Sequence, residues 1–166
     1  MKNALGGSLE KVIFMSDDAD VYYNAWSFVM GEPHRKLLCV WHVDRAWKKN
    51  LCKIKNKTLH PKIYKIARSL MELGDQQKFE DLLKKFLELL QEDPETKDFH
   101  KYFLTEYASR HETWAWCHRI GLRVHHNMHL EAVHRVLKHV HLQVNNFFYS
   151  SLLQFIIKCL IRATIK

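Results

Sequence analysis

KVIFMSDDADVYYNAWSFVMGEPHRKLLCVWHV, residues 11–43, sets the fold class. KVIFMS, residues 11–16, is a short apolar run of β-branched and aromatic residues and reads as a buried strand. Asp17 and Asp18 follow it. Val21, Ala25, Phe28 and Val29 then repeat at helical spacing, which predicts a helix over about 19–30. GEPHR, residues 31–35, combines a glycine helix stop with a proline turn. KLLCVWHV, residues 36–43, reads as a second apolar strand. A basic helix over about 44–54 comes next, with Arg45, Lys48, Lys49 and Lys53 on one side and Ala46, Trp47, Leu51 and Ile54 for burial. Strand, helix, strand, helix is the pattern of crossover units in α/β sheets.

Downstream the pattern turns all-helical. His60-Pro61 opens one helix. Residues 75–91 form another, with Phe79, Leu82, Leu83, Phe86, Leu87, Leu89 and Leu90 as its apolar stripe. Pro94 opens a third, to about residue 109, with Phe99, Phe103, Leu104 and Tyr107 on its core face. From Asn127, a good helix cap, Leu130, Val133, Leu137, Val140 and Val144 form a helical seam. The expected fold class is therefore α/β, a small sheet with a large all-helical insertion, predominantly helical overall.

The composition narrows the function. With 166 residues, one domain is the default; 47% hydrophobic and 27% charged residues exclude a disordered or collagen-like chain. Lys plus Arg number 26 and Asp plus Glu 18, a formal charge of +8, which suits either an acidic partner, most simply nucleic acid, or a solvated basic surface. Four cysteines without a framework read as reduced thiols of a nuclear or cytosolic protein. The most apolar stretch, residues 147–161, is interrupted by Gln154 and Lys158 and is shorter than the roughly 20 residues of a bilayer span, so no membrane anchor is expected. Gly-rich phosphate loops, GxSxG elbows, CxxC pairs and HExxH motifs are absent, although seven of the 12 histidines fall between residues 118 and 141.

Three sets of residues could carry chemistry. Asp17 stands at the end of a buried strand, where α/β sheets place ligand and metal sites; Asp17 or Asp18 could equally cap the helix that follows. Glu131 could act as a carboxylate site, could pair with Arg135 one turn on, or could form half of a di-iron motif with His134. Cys39 and His42 have a spacing that suits zinc, with Cys117 and His118 available to complete a site; a buried thiol beside a capping histidine is the other reading.

Three strings bring these residues together: MSDDADVYYNAW (residues 15–26), LLCVWHVDRAWKKNL (37–51) and NMHLEAVHRVLK (127–138). In order and spacing they resemble the MULE-type (Mutator-like) transposase domain. The resemblance covers residues 11–142 and implies a partial ribonuclease H-like fold over 1–142, its helical insertion at about 56–112, with a divergent apolar helical tail at 143–166. It implies that Asp17 and Glu131 are catalytic carboxylates holding magnesium or manganese. Two such ions activate the attacking hydroxyl and stabilise the leaving oxygen of a cleaved DNA strand. It matches Cys39 and His42 to the family's Cys-x-x-His pair. The family's first catalytic aspartate belongs on an upstream strand, and Glu10 is the only acid before residue 11. The expectation is thus a nuclear transposase fragment with little cleavage activity of its own. It would bind DNA through Arg45, Lys48, Lys49 and Lys53. A non-enzymatic nuclear DNA-binding or protein-interaction module, which meets itself or another protein through its apolar helices, or a structural zinc protein, is the alternative.

Overall fold

The computed structural model describes residues 12–122. The protein is mostly helical, with one small two-stranded parallel sheet formed by β1 (Ile13–Ser16) and β2 (Arg35–Leu38). The described residues divide into two compact units, one up to Arg35 and one from Lys36. The seam expected over 127–144 and the tail 143–166 lie outside the described residues.

In the first unit, β1 leads through Asp17 and Asp18 into α1 (Asp20–Met30). Phe14 and Met15 are buried, and Phe14 meets the rings of Tyr23 and Trp26, each at 5.7 Å between centroids. This aromatic contact sets the rotation of α1. The row Val21, Ala25, Phe28 and Val29 consequently faces outward, with Phe28 91% exposed and Trp26 buried. Gly31 closes the helix at φ 87°, in the left-handed region where glycine carries no Cβ penalty.

β2 is shorter than the sequence suggests, and α2 (Val40–Asn50), in the second unit, begins earlier. Cys39 is its N-cap and His42 lies in its first turn, so neither belongs to a strand. The reason is periodicity. Val40, Val43 and Trp47 recur at three and four, and Val43 and Trp47 are buried together. A 3₁₀ turn, Leu51–Lys53, completes the basic stretch. Asn56 accepts from the Thr58 amide and opens a second turn, Lys57–Leu59, which runs into α3 (His60–Glu72) with Pro61 in its first turn.

Asp75 caps α4 (Gln76–Glu92) by accepting from the Lys78 amide at 2.9 Å. The long third helix expected from Pro94 is divided. Asp93 caps a 3₁₀ turn, Pro94–Thr96; α5 (Lys97–Glu106) follows; and a further 3₁₀ segment, Ala108–Thr113, includes non-helical backbone at Arg110. Thr96, buried, fastens this junction by donating to the Leu90 carbonyl at 2.7 Å. Of the expected core face, Phe99, Phe103 and Tyr107 are buried, while Leu104 is 44% exposed. Along α4, Phe79, Phe86 and Leu90 are buried and the other four leucines pack partly against the core.

Trp47 stands at the middle of this core, wholly buried, with Phe103 at 5.5 Å, Tyr107 at 5.5 Å and Trp114 at 5.1 Å. Tyr107 and Trp114 meet it edge-on, and such pairs contribute about 0.5–1.5 kcal/mol each beyond area burial. Trp114 donates its indole N–H to the Tyr107 carbonyl at 3.0 Å. Arg119, also buried, donates to the carbonyls of Leu38 and Thr113, tying the end of β2 to the last turns. Replacing Trp47 by alanine should lower the unfolding free energy by about 3–5 kcal/mol in urea titrations. Phe28→Ala should change it by less than about 0.5 kcal/mol. A large loss for Phe28→Ala would contradict the outward face of α1.

Candidate functional site

Among the described residues, the densest polar arrangement joins α2 to α3. Asp44 is buried on α2. Tyr64 donates its hydroxyl to Asp44 Oδ1 at 2.6 Å, and Arg68 Nη1 reaches the same oxygen at 3.2 Å. Lys48 Nζ lies 2.9 Å from Asp44 Oδ2 and 5.2 Å from the centre of the Tyr64 ring. Arg68 also pairs with Glu72 through its other terminal nitrogen. Burial alone would push the Asp44 carboxyl up, but the hydrogen bonds from Tyr64 and Lys48 and the nearby cations hold it below its ordinary value. The hydrogen bond to Asp44 raises Lys48 in turn. For Arg68, burial works against the charge, and Glu72 and Asp44 outweigh it, leaving the guanidinium raised.

This cluster has a wider setting. Residues 45–68 contain nine lysines and arginines and no aspartate or glutamate. Residues 69–122 contain 11 acids against seven lysines and arginines. The charge of the second unit is therefore divided along the sequence, basic over residues 45–68 and acidic over 69–122. Arg45, Lys49, Lys53, Lys55, Lys57, Lys62 and Lys65 are all exposed. Of the four cations expected to bind DNA, Arg45 and Lys49 stand on the outer side of α2. Lys53 lies in the adjoining turn, 5.9 Å from the centre of the Tyr102 ring. Lys48 differs, since its ammonium is held by Asp44. Trp41 shares the outer row of α2 with Arg45, whose guanidinium sits 5.3 Å from the centre of its ring.

The other predicted residues fall as follows. Asp17 comes directly after β1 and is half-buried. It does not cap α1, whose N-cap is Ala19 without a side-chain hydrogen bond. Its Oδ1 is enclosed and has no hydrogen-bond partner among the described residues. That is a carboxylate oxygen of the type a hard cation accepts. Glu131, its expected companion, lies outside the described residues. Cys39 is fully buried, and His42, one turn on, meets Trp41 edge-on at 4.8 Å. Cys117 and His118 belong to the 3₁₀ turn Trp116–His118, where His118 packs against His111 and Phe79. Burial pushes the Cys117 thiol up. Among the described residues no three candidate metal ligands come together.

A cavity of about 290 Å³ opens in the second unit beside Val40, Met71, Trp114 and Trp116, with Arg68 and Glu72 at its polar side. Among the described residues no helix is long and apolar enough to cross a membrane. No protein-family model matches the chain, and no curated protein and no solved structure matches it.

Sequence reasoning did not single out Asp44, Tyr64, Arg68 or Trp41. The acid-free run 45–68 was the available signal for the first three, because a lone acid at its border is the natural counter-charge. Replacing Asp44 by asparagine should cost about 1–3 kcal/mol at neutral pH, read from chemical denaturation. The folded carboxyl titrates below its unfolded value of about 3.9, so its contribution is full above that value and is lost as pH falls through the folded one. Below about pH 4, Asp44→Asn should therefore show a flatter loss of stability than the parent chain. Parallel acid limbs would exclude this role.

Proposed function

We propose that this chain is a nucleic-acid-binding fragment of the MULE transposase type, which acts in the nucleus by holding DNA on the α2–α3 surface. The observation that carries this reading is the set of seven exposed cations, besides the paired Lys48 and Arg68, in the acid-free stretch 45–68. Phosphate binding requires cations that are accessible and unneutralised by neighbours. Arg45, Lys49 and Lys53 are the residues assigned to it; Lys48 serves the α2–α3 junction instead. The start of the fold supports the ribonuclease H-like part of the reading. Strand, helix and strand follow in the order the resemblance requires, and Asp17 directly follows the first strand.

In this reading Asp17 and Glu131 are what remains of a carboxylate set that would hold magnesium or manganese, a Lewis acid for phosphodiester cleavage. The exposed cations bear on binding, so binding is the proposed function. A second reading, self-association, is favoured by the outer row of α1, where Phe28 and Val21 are 91% and 73% exposed. The leucine-rich helices 75–110 do not support it, because their large apolar residues are mostly taken up by the core.

Fluorescence anisotropy with labelled duplex DNA tests the proposal. The logarithm of affinity should fall with the logarithm of salt at a slope of about −3 for three phosphate contacts. Each of Arg45→Glu, Lys49→Glu and Lys53→Glu should weaken binding and reduce the slope by about 1. Affinity indifferent to salt, or to all three reversals, would sink the reading. Light scattering that finds a dimer without DNA, abolished by Phe28→Glu, would favour the second.

A further inference from the structure

We infer that the outer row of α2 takes a single-stranded nucleic acid, with one unstacked base lying against the Trp41–Arg45 pair and the backbone running past Lys49. This deepens the nucleic-acid reading of the basic surface and rests on it.

Trp41 carries the argument. Among the described residues the chain has five tryptophans; Trp26, Trp47 and Trp114 are buried and Trp116 is half-buried, whereas Trp41 is 37% exposed. An indole is the side chain with most to gain from burial, and here it stands on a helix whose other aromatic, Trp47, is wholly inside. Its neighbours on the surface are not apolar. Arg45, four residues on, holds its guanidinium over the ring, and Lys49 continues the same row at i+8. Asp44, the acid nearest in sequence, is turned toward Tyr64 and Arg68. The row therefore offers an aromatic plane, a planar cation and a point cation, spaced about 6 Å apart along the helix axis.

This combination fits a single strand better than a duplex. A duplex presents phosphates to lysines and arginines, but its base faces are already stacked on one another. An unstacked base offers a π-face to an indole or a guanidinium, and stacking of that kind tolerates any sequence. The cations beyond Trp41 then meet successive phosphates of the same strand.

The test uses the full chain and three labelled probes: oligothymidylate and oligouridylate of about ten nucleotides, and a duplex. Trp41→Ala should weaken single-strand binding about 10-fold and leave duplex affinity within about twofold. Trp41→Phe, which keeps a flat ring, should retain most of the single-strand affinity. Thermal melting of each variant shows whether the fold is intact. If Arg45→Glu and Lys49→Glu weaken every probe while Trp41→Ala weakens none, stacking is overturned and phosphate binding survives. If the parent chain binds no probe, both readings fall. Displacement of the strand by polyglutamate at matched charge, equally well from the parent and from Trp41→Ala, overturns the proposal in favour of an acidic protein partner. A preference between the thymidylate and uridylate probes assigns the strand as DNA or RNA.

Discussion

One carboxylate makes the packing of α2 on α3 workable. The stretch from Arg45 to Arg68 carries nine cations and no acid, and bringing its two helices together sets Lys48 and Arg68 side by side. Asp44 accepts from both and from Tyr64, so the junction holds a compensated charge instead of two like ones. The helix geometry does the rest. With Asp44 fixed toward α3, Val43 and Trp47 turn into the aromatic core, and Trp41, Arg45 and Lys49 turn out. The inner and outer surfaces of α2 are thus decided by the same contact.

The core and the basic surface have opposite demands, and α2 meets both on 11 residues. Inside, Trp47 is enclosed by three aromatic rings and needs rigid neighbours. Outside, Arg45 and Lys49 are exposed and carry their charge into solvent. Arg119 extends the rigid part by holding the Leu38 and Thr113 carbonyls, which anchors the segment just before α2.

The elements themselves were legible in the sequence. A short β-branched run, a Gly-Pro turn, a proline at the start of α3 and an aspartate cap before α4 mark β1, α1, α3 and α4 closely. What could not be read was which side faces inward when two apolar rows compete. In α1, the row Val21, Ala25, Phe28 and Val29 is the more regular, but Tyr23 and Trp26 have the larger rings and a partner in Phe14. In residues 39–43, an apolar run suits strand and helix equally, and only the link from Val43 to Trp47 favours a helix. Arg45, Lys49 and Lys53 were legible as surface cations. Lys48 was not separable from them, since its withdrawal depends on Tyr64 and Arg68, 16 and 20 residues further on. Asp17 and Cys39–His42 were visible as chemistry-bearing residues by type and spacing; their burial and partners are properties of the packed chain.

The division of charge in the second unit has an electrical consequence. Nine cations over residues 45–68, against an excess of four acids over 69–122, make the field of that unit uneven as well as net positive. An uneven charge distribution feels a torque in the field of a charged polymer, so it is turned before it touches. Approach to a polyanion is therefore oriented at a distance of about one Debye length, with the α2–α3 side leading. On the proposed reading, orientation and attachment would then draw on the same uneven placement of charge.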